Sequence, residues 1–514
     1  MAAELGVGAG LSLVETGRAL GVADLEAGRR LRLAVLGAGA VILAVVSGLL
    51  IGSLNLLGQL AIAGAVLGLF LPLLFWRFPP GGVILITASG LLFEQFQLTG
   101  LPKTLSEQVP LFRSLSTGTG LGGVYVNPIE LIIALIAVIW LIKTAGERRL
   151  SLPRSYLAAG VAALMALVAV AEAHGLGTGG NFKASLWELR PFLYIGLLYL
   201  LASQLHARRE TIVALLWVLV LATGLKGVEG TIVYFQVRSY FPRPSNILEH
   251  EESFFFGLYI ALTISLWLFG VRGRLRLAAT TLLPFVVLSD LANHRRTAWV
   301  IVAVALAILL AAAWYRVPRR HRWKVQAIAL SAVAVGIAYL PLFWNGSGTI
   351  AQPARAVRSA IQPSARDAAS DQYRIIEDFN LGTGIKNTTP FGAGFGKVIV
   401  NYIPNADISK LDPNIIYQPH NGLLYVWLRL GFPGALAFWW FLGAAVLSAA
   451  RLARGPDNQL AMFGILVIVA LAAYVVQGWL DQGIVSLRIA VVIGCVLGSL
   501  EAAHRLAPVK LGAN

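Results

Sequence analysis

The chain has 514 residues, of which 57% are hydrophobic and 13% charged, and its mean hydropathy is +0.74. Soluble domains have about 45–50% apolar and about 25% charged residues, so this composition excludes a water-soluble globular protein. The 41 Lys and Arg residues outnumber the 25 Asp and Glu residues, which gives a net charge of +16. In a membrane protein this excess first indicates which loops are cytoplasmic, and it does not point to a nucleic-acid partner. The single cysteine, Cys495, excludes an intramolecular disulfide framework.

Apolar runs follow one another along almost the whole chain. Because a helix needs about 20 apolar residues to cross a bilayer, they predict an all-α polytopic membrane protein with about 12–14 transmembrane helices. Two of the runs, 82–97 and 276–290, are short enough to be re-entrant or wrongly divided. The runs lie near 33–52, 55–76, 82–97, 124–142, 155–173, 187–204, 211–228, 252–270, 276–290, 297–315, 324–344, 420–449, 460–479 and 484–502.

Lys and Arg concentrate in alternate connections between these runs. With a cytoplasmic N-terminus, 23 of the 41 fall in cytoplasmic segments, including the RVPRRHRWK cluster at 316–324. The positive-inside rule therefore predicts cytoplasmic termini and one long extracytoplasmic loop before the last three helices. The predicted organisation is a cytoplasmic segment 1–32, transmembrane helices with short loops over 33–344, the extracytoplasmic loop 345–419, three helices over 420–502 and a cytoplasmic tail 503–514.

The loop 345–419 is rich in Gly, Pro, Asn and Thr, and we expect it to form a site or lid rather than a second globular domain. One helix is predicted over Ser370–Phe379, with Ser370 as N-cap and Asp371 complementing the helix dipole. The FGAGFGK run that follows favours a glycine-rich turn, because it lacks the strand-to-helix context of a nucleotide-binding loop.

Cations and an imidazole recur at the predicted outer face. Arg190 in WELRPF begins one helix, Arg295 and Arg296 in NHRRTAW begin another, Arg374 lies in the loop helix, and His420 precedes the helix after the loop. Lys and Arg on the outer side oppose the positive-inside bias. We therefore expect an anionic ligand there, and Arg suits phosphate because its planar guanidinium donates two charge-assisted hydrogen bonds.

Structural interpretations of the same residues stay open. An outer arginine at a helix start is often only snorkelling to lipid headgroups. Arg374 has Asp371, Glu377 and Asp378 as candidate partners on its own helix. His420 could be a helix-terminal residue that is satisfied by water.

Four segments, in order, carry a resemblance to a known family. They are Arg296-Thr297-Ala298, YRIIE at Tyr373–Glu377, P-x-G-x-G-x-G at Pro390–Gly396, and PHNGLLYVWLRLGFPGAL, in which His420 and Asn421 are followed by Gly431 and Gly434. Together they resemble the O-antigen ligase and polymerase family of polytopic membrane glycosyltransferases. The resemblance covers residues 280–450 well and the N-terminal half only as a generic multi-span pattern.

This resemblance implies a GT-C-like fold in the plasma membrane and a metal-independent, inverting sugar transfer at the extracytoplasmic face, without a cofactor. The donor in this family is a glycan on undecaprenyl pyrophosphate, and the acceptor is a sugar of lipid A core or of a second lipid-linked repeat. The resemblance makes His420 the general base, with Arg296 and Arg374 holding the pyrophosphate. Arg295, Arg190 and Asn421 are further substrate-binding candidates.

Two other functions stay open from the residues alone. A carrier or flippase for an anionic lipid-linked glycan would also use arginines, although it has no need for a base confined to one face. Protein O-oligosaccharyl transfer would use the same donor with a Ser or Thr acceptor. Ion-coupled transport is disfavoured because the acidic residues map to outer helix ends and none to the midplane. They are Glu94, Glu130, Glu172, Glu188, Glu229 and Asp290.

Overall fold

The computed structural model describes most of the chain after residue 67. The described residues are 68, 70–96, 98, 100–116, 125–147, 152–240, 244, 246–408 and 414–506. The chain divides into two compact units, Met1–Arg77 and Phe78–Asn514. In the first unit, Phe70–Arg77 is helical. The predicted segment 1–32, the apolar run 33–52, most of the run 55–76 and the end of the tail from 507 lie outside the described residues.

The second unit is built from α-helices, which we number α1 to α14. They are α1 Pro79–Leu92, α2 Pro128–Gly146, α3 Tyr156–Gly177, α4 Phe182–Leu205, α5 Arg209–Val237, α6 Glu252–Leu268, α7 Arg274–Ala292, α8 Arg296–Arg316, α9 Arg322–Phe343, α10 Gln352–Ile361, α11 Ala365–Asn387, α12 Gly422–Ala453, α13 Asn458–Leu480 and α14 Leu487–Leu506.

Nine helices in the described part of the chain are long and apolar enough to cross a membrane: α2, α3, α5, α7, α8, α9, α12, α13 and α14. The predicted all-α polytopic fold is thereby confirmed. The run at 276–290 is a separate 19-residue helix, α7, and not a fragment of a neighbour. The run at 82–97 is the 14-residue α1, which ends at Leu92.

The two ends of α8 differ in charge and surroundings. Its first residue, Arg296, meets the loop helix α11, and its last residue, Arg316, donates to the carbonyls of Ala453 and Gly455. A 21-residue α-helix is about 30 Å long, so the basic cluster at 316–324 lies a bilayer's thickness from Arg296. Arg296 and the basic cluster therefore lie at opposite ends of α8, and which end is cytoplasmic stays a prediction.

Two fully buried cations outside the loop, Lys226 and Arg488, are paired with carboxylates. Lys226 of α5 is buried and contacts Glu94, and its Nζ lies 2.8 Å from Glu229. Arg488 of α14 lies 2.8 Å from Glu249 and 2.7 Å from Glu252. Breaking such a pair leaves an uncompensated buried charge, which costs about 3–5 kcal/mol. Lys226 therefore ties α5 to the segment that follows α1, and Arg488 ties α14 to the start of α6.

The loop contains two helices where the sequence predicted one. The predicted N-cap Ser370 is wrong, because α11 begins at Ala365 and the Ser364 hydroxyl accepts from the Asp367 N–H at 3.2 Å. Ser364 precedes an acidic residue by three positions, the spacing of a capping box, whereas Ser370 lies inside the helix. Helix α11 has 23 residues and is therefore more than twice as long as the helix predicted over Ser370–Phe379. The whole YRIIE segment lies inside it.

The helix predicted over 420–449 is broken at Gly431. This residue has φ 67° and ψ −170° inside α12, which interrupts the helical hydrogen bonds on either side. The glycine-rich turn occupies the break. The Ala393 N–H donates to Leu428 O at 2.7 Å, the Gly394 N–H to Arg429 O at 3.1 Å, and the Phe432 N–H to Pro390 O at 2.9 Å.

The three alternate glycines of this turn have positive φ, from +73° to +83°, so the predicted turn is confirmed. A Cβ on Gly392 would lie 2.5 Å from Gly431 N, and one on Gly394 would lie 2.4 Å from Gly175. Beneath the turn, the buried Arg429 guanidinium lies 2.7 Å from Glu188 and donates to Lys397 O at 2.6 Å. The turn is thus locked between α3, α4 and α12.

We expect Gly392→Ala to destabilise the protein by about 2 kcal/mol or more, because it combines a strained φ with a clash against backbone. The measurement is the thermal unfolding midpoint of the detergent-solubilised protein. Gly382→Ala is the matched control, since a Cβ there meets no atom within 4 Å and alanine favours a helix. Equal midpoints for both variants would contradict the close approach at Gly392.

Candidate active site

A cavity of about 690 Å³ opens between α8, α10, α11, the start of α12 and the end of α13. The lining combines polar and apolar side chains, and the polar ones come mainly from α11 and the starts of α8 and α12. The polar residues, called the polar wall below, are Arg296, Thr297, Asp371, Arg374, Glu377, Asp378, His420 and Asn421; the apolar residues, called the apolar wall, are Trp299, Val300, Ala303, Ala356, Val357, Ala360, Ile361, Ile375, Trp479 and Leu480.

Helix α11 supplies four charged side chains to the polar wall. Asp371, Arg374, Glu377 and Asp378 recur at intervals of three and four residues, which places them on one face of the helix. Each of the three carboxylates contacts a residue of another segment, as described below. The face of α11 that carries these four residues, two of which belong to the YRIIE segment, is therefore the face that forms the site.

Arg296 is fixed by a two-point contact with Asp371. Its Nη2 donates to Asp371 Oδ1 at 2.6 Å and its Nη1 to Oδ2 at 3.2 Å. The two side chains are 31% and 38% exposed, so both remain accessible from the cavity. The contact orients the guanidinium of α8 toward α11.

His420 is fixed by Glu377. Its backbone N–H donates to Glu377 Oε2 at 3.0 Å, and its Nδ1 lies 3.2 Å and 3.3 Å from the two carboxylate oxygens. An ionised carboxylate only accepts, so Nδ1 carries the proton and Nε2 is the basic nitrogen. The Tyr373 ring packs edge-on against the imidazole, with centroids 5.6 Å apart. The side chain is 21% exposed, whereas that of Glu377 is 8% exposed.

The pKa of His420 is raised above its ordinary value. Burial lowers it, but the hydrogen bond and negative charge of Glu377, together with the charge of Asp481, outweigh burial. Arg374 opposes these carboxylates. The imidazole is therefore a stronger base than a free histidine.

Asn421 completes the start of α12. Its Oδ1 accepts from the Leu424 N–H at 3.2 Å as N-cap, and its Nδ2 donates to Asp378 Oδ1 at 3.0 Å. Because the side chain is 2% exposed, its observed contacts position α12 against α11.

Arg374 lines the cavity between these contacts. Its three candidate partners on α11 are engaged elsewhere: Asp371 with Arg296, Glu377 with His420, and Asp378 with Asn421. No carboxylate of the described residues lies within 4 Å of the Arg374 guanidinium. Its charge is therefore available to a ligand.

These residues fall within a recognisable sequence family. Residues 281–439 match the family model described as O-antigen ligase. Over this segment the chain is similar to the O-antigen ligase family. The resemblance inferred from the four segments is thereby confirmed. No curated protein matches the chain.

The O-antigen ligase segment contributes every charged residue of the cavity, from Arg296 to His420. Two apolar lining residues, Trp479 and Leu480, come from α13 beyond its end. They lead into Asp481, which is buried and lies 3.2 Å from His250 Nδ1. Burial acts to raise the pKa of Asp481, but His250, Arg295 and Arg374 hold it well below its usual range.

Arg295 and Arg190 do not line the cavity. Arg295 is largely buried beside Asp481 and Glu251, and its Nε has no hydrogen-bond partner among the described residues. Arg190 is buried in α4, with its Nε 2.7 Å from Glu130 and its guanidinium over the Trp187 ring. Of the six predicted site residues, the structure brings together Arg296, Arg374, His420 and Asn421.

Glu377 is a site residue that the sequence does not single out. Like Asp371 and Asp378, it is there only a candidate partner of Arg374, although it lies in the same YRIIE segment. A carboxylate three residues after a candidate arginine on one helix face was a usable signal. What the sequence could not supply is that the start of α12 packs against this face.

We expect Glu377→Gln to lower the pKa of His420, because it removes the negative charge that raises it. The measurement is the rate at which diethylpyrocarbonate modifies the His420 peptide as a function of pH, read by mass spectrometry. Only the neutral imidazole reacts, so the midpoint of the rate curve should move to lower pH.

Asp367→Asn is the matched control, since Asp367 is an acid of the same helix whose side chain contacts Ser364 outside the cavity. Its midpoint should match that of the unchanged protein. An equal midpoint for Glu377→Gln would mean that Glu377 does not control the protonation of His420.

Proposed function

We propose that the protein is a metal-independent, inverting glycosyltransferase of the plasma membrane. It would take a glycan from undecaprenyl pyrophosphate and transfer it to a sugar acceptor at the extracytoplasmic face. The observation that carries this proposal is one cavity that a His–Glu pair, a guanidinium without a carboxylate partner and apolar side chains line together. The extracytoplasmic loop 345–419 and the helices at 297–315 and 420–449 would form the site.

In this proposal His420 is the general base. The Nδ1–H contact with Glu377 leaves Nε2 to take the proton of the acceptor hydroxyl. The acceptor oxygen then attacks the anomeric carbon while the bond to the pyrophosphate oxygen breaks, and the electron pair leaves with the pyrophosphate. Attack opposite to the leaving group inverts the anomeric centre. Glu377 stabilises the imidazolium that forms, which supports proton transfer.

The arginines would stabilise the leaving group. A departing pyrophosphate gains negative charge in the transition state, and preorganised cations stabilise such charge strongly in a partly dry site. Arg374 has no competing carboxylate within 4 Å among the described residues, whereas Arg296 is already held by Asp371. We therefore assign the main contact to Arg374 and a supporting role to Arg296. Asn421 would act through the position of His420.

The apolar wall suits the lipid part of the donor. Val300 and Ala303 follow Arg296 along α8, and Trp479 and Leu480 of α13 also line the cavity. A polyprenyl chain could lie along this wall inside the bilayer while its pyrophosphate meets the arginines at the helix ends. This division of the cavity matches a substrate with an apolar tail, a charged linkage and a hydrophilic glycan.

A carrier or flippase is less well supported. Such a protein needs charge available along a path through the membrane, yet the deeply buried Lys226, Arg429 and Arg488 all pair with glutamates. The available guanidinium among the cavity residues lies at one end of the helices.

Acceptor identity can be tested by deleting the gene and examining surface glycans. Complete loss of glycan from its anchor indicates a ligase, and a single repeat on the anchor indicates a polymerase.

We expect His420→Ala to lower transfer by about a thousandfold, within the range for loss of a general base, without lowering the amount of folded protein. The assay is transfer from a lipid-linked donor by the purified protein in liposomes. Protein amount and elution volume on size exclusion are the folding controls. Activity close to that of the unchanged protein would reject His420 as the base.

We expect Arg374→Ala to lower the catalytic constant by about a hundredfold or more, since the lost contact acts on charge that develops in the transition state. Arg374→Lys should recover part of the loss because it keeps the charge. Lys386→Ala is the matched control, as Lys386 is an exposed cation near the end of the same helix and does not line the cavity. Equal activity in Arg374→Ala and Lys386→Ala would remove Arg374 from the mechanism.

A further inference from the structure

A second cavity, of about 570 Å³, lies beside the candidate active site. The two cavities share walls: Arg355 of α10 lines the second cavity, while Ala356 and Val357 of the same helix line the first. Likewise His294 lines the second cavity and Arg296, two residues later, lines the first. Helix α10 and the residues that lead into α8 therefore separate two neighbouring spaces.

The lining of the second cavity is cationic. Arg238, Arg355, Arg366 and His294 line it, and its lining in the described part of the chain contains no Asp or Glu. The first cavity, in contrast, contains three carboxylates. Hydroxyl groups also line the cavity: that of Ser347 can donate to a ligand, and that of Thr349 donates to Tyr234 Oη at 3.1 Å. The second cavity thus collects several hydrogen-bond donors and positive charges around one space.

Two of these arginines carry a charge that is available to a ligand. Arg238 and Arg366 are exposed, and neither lies within 4 Å of a carboxylate in the described ranges. They come from different parts of the chain, the end of α5 and the first turn of α11. Holding like charges around a cavity is unfavourable unless an anion occupies it. His294 has φ 53°, the only positive φ of a non-glycine residue in the described chain, and such strain concentrates at functional positions.

We propose that this second cavity binds a phosphate-type anion, separately from the candidate active site. Guanidinium groups bind phosphate through paired N–H donors, and a serine hydroxyl adds a further donor. The cavity is too large for a single phosphate alone, so it fits a phosphate attached to a further polar group. That phosphate could belong to a soluble molecule or to a lipid headgroup, and the experiment below distinguishes the two sources.

A thiol placed in the cavity can report its occupancy. Cys495 is the only cysteine of the chain and it is buried, so Ser347→Cys introduces a single accessible thiol at the cavity wall. The full-length variant is placed in nanodiscs of phosphatidylcholine, and its alkylation by neutral iodoacetamide is followed by mass spectrometry with increasing inorganic pyrophosphate. A second preparation contains phosphatidylglycerol in the nanodisc and no added anion.

We expect saturating pyrophosphate, phosphatidylglycerol or both to slow alkylation. Removing Arg238 and Arg366 together in this background should raise the half-protecting pyrophosphate concentration about tenfold or more, since a charged hydrogen bond contributes about 1.5–3 kcal/mol. Protection by pyrophosphate alone indicates a soluble source, and protection by phosphatidylglycerol alone indicates a headgroup. If only the lipid protects, the double substitution should restore fast alkylation in those nanodiscs.

Three controls make the result specific. Arg272→Ala removes an exposed arginine from the turn between α6 and α7, outside this cavity, and should leave protection unchanged. Arg374→Ala should also leave it unchanged, because Arg374 belongs to the first cavity. Absence of protection by both anions, or equal protection after loss of both Arg238 and Arg366, would overturn the proposal. The assay requires no sugar transfer, so its failure and that of the proposed function are distinguishable.

Discussion

The candidate site depends on three carboxylates of one helix face. Asp371, Glu377 and Asp378 of α11 hold Arg296 at the start of α8 and His420 and Asn421 at the start of α12. These polar contacts attach a loop helix to two membrane helices. The pKa of His420 is raised in the folded protein, so its contact with Glu377 stabilises the fold. This stabilisation is fully present at pH values below the ordinary histidine pKa of about 6.5. It is lost as the pH rises through the raised pKa of the folded protein.

The position of His420 also depends on the break in α12. Gly431 frees the carbonyls of Leu428 and Arg429, and the glycine-rich turn supplies the N–H groups that bind them. Arg429 then donates to Tyr417 O at 3.0 Å, three residues before His420. The conformation of the turn, the break and the approach to His420 are therefore coupled. Two patterns that look unrelated along the chain, alternate glycines and the Gly431–Gly434 spacing, are parts of one packing arrangement.

The sequence predicted the helices and the ordered cluster of His420, Arg296, Arg374 and Asn421 because these signals are local. Apolar length marks a membrane helix, and short motifs mark the residues that face a site. It could not predict which outer arginines would be neutralised. Arg190 and Arg374 look alike in sequence, yet Glu130 packs against Arg190, whereas the acids near Arg374 are occupied by other helices. Partner choice depends on tertiary packing, and so does the role of Glu377.

The same distinction refines the meaning of the net positive charge. Arg190, Lys226 and Arg488 are buried with glutamates, and such pairs contribute to the packing of helices rather than to ligand binding. Three other arginines, Arg238, Arg366 and Arg374, line cavities without a carboxylate within 4 Å in the described chain. Like charges around one space repel each other, and a bound anion would offset that repulsion. The two cavities are where the structure provides space for such an anion.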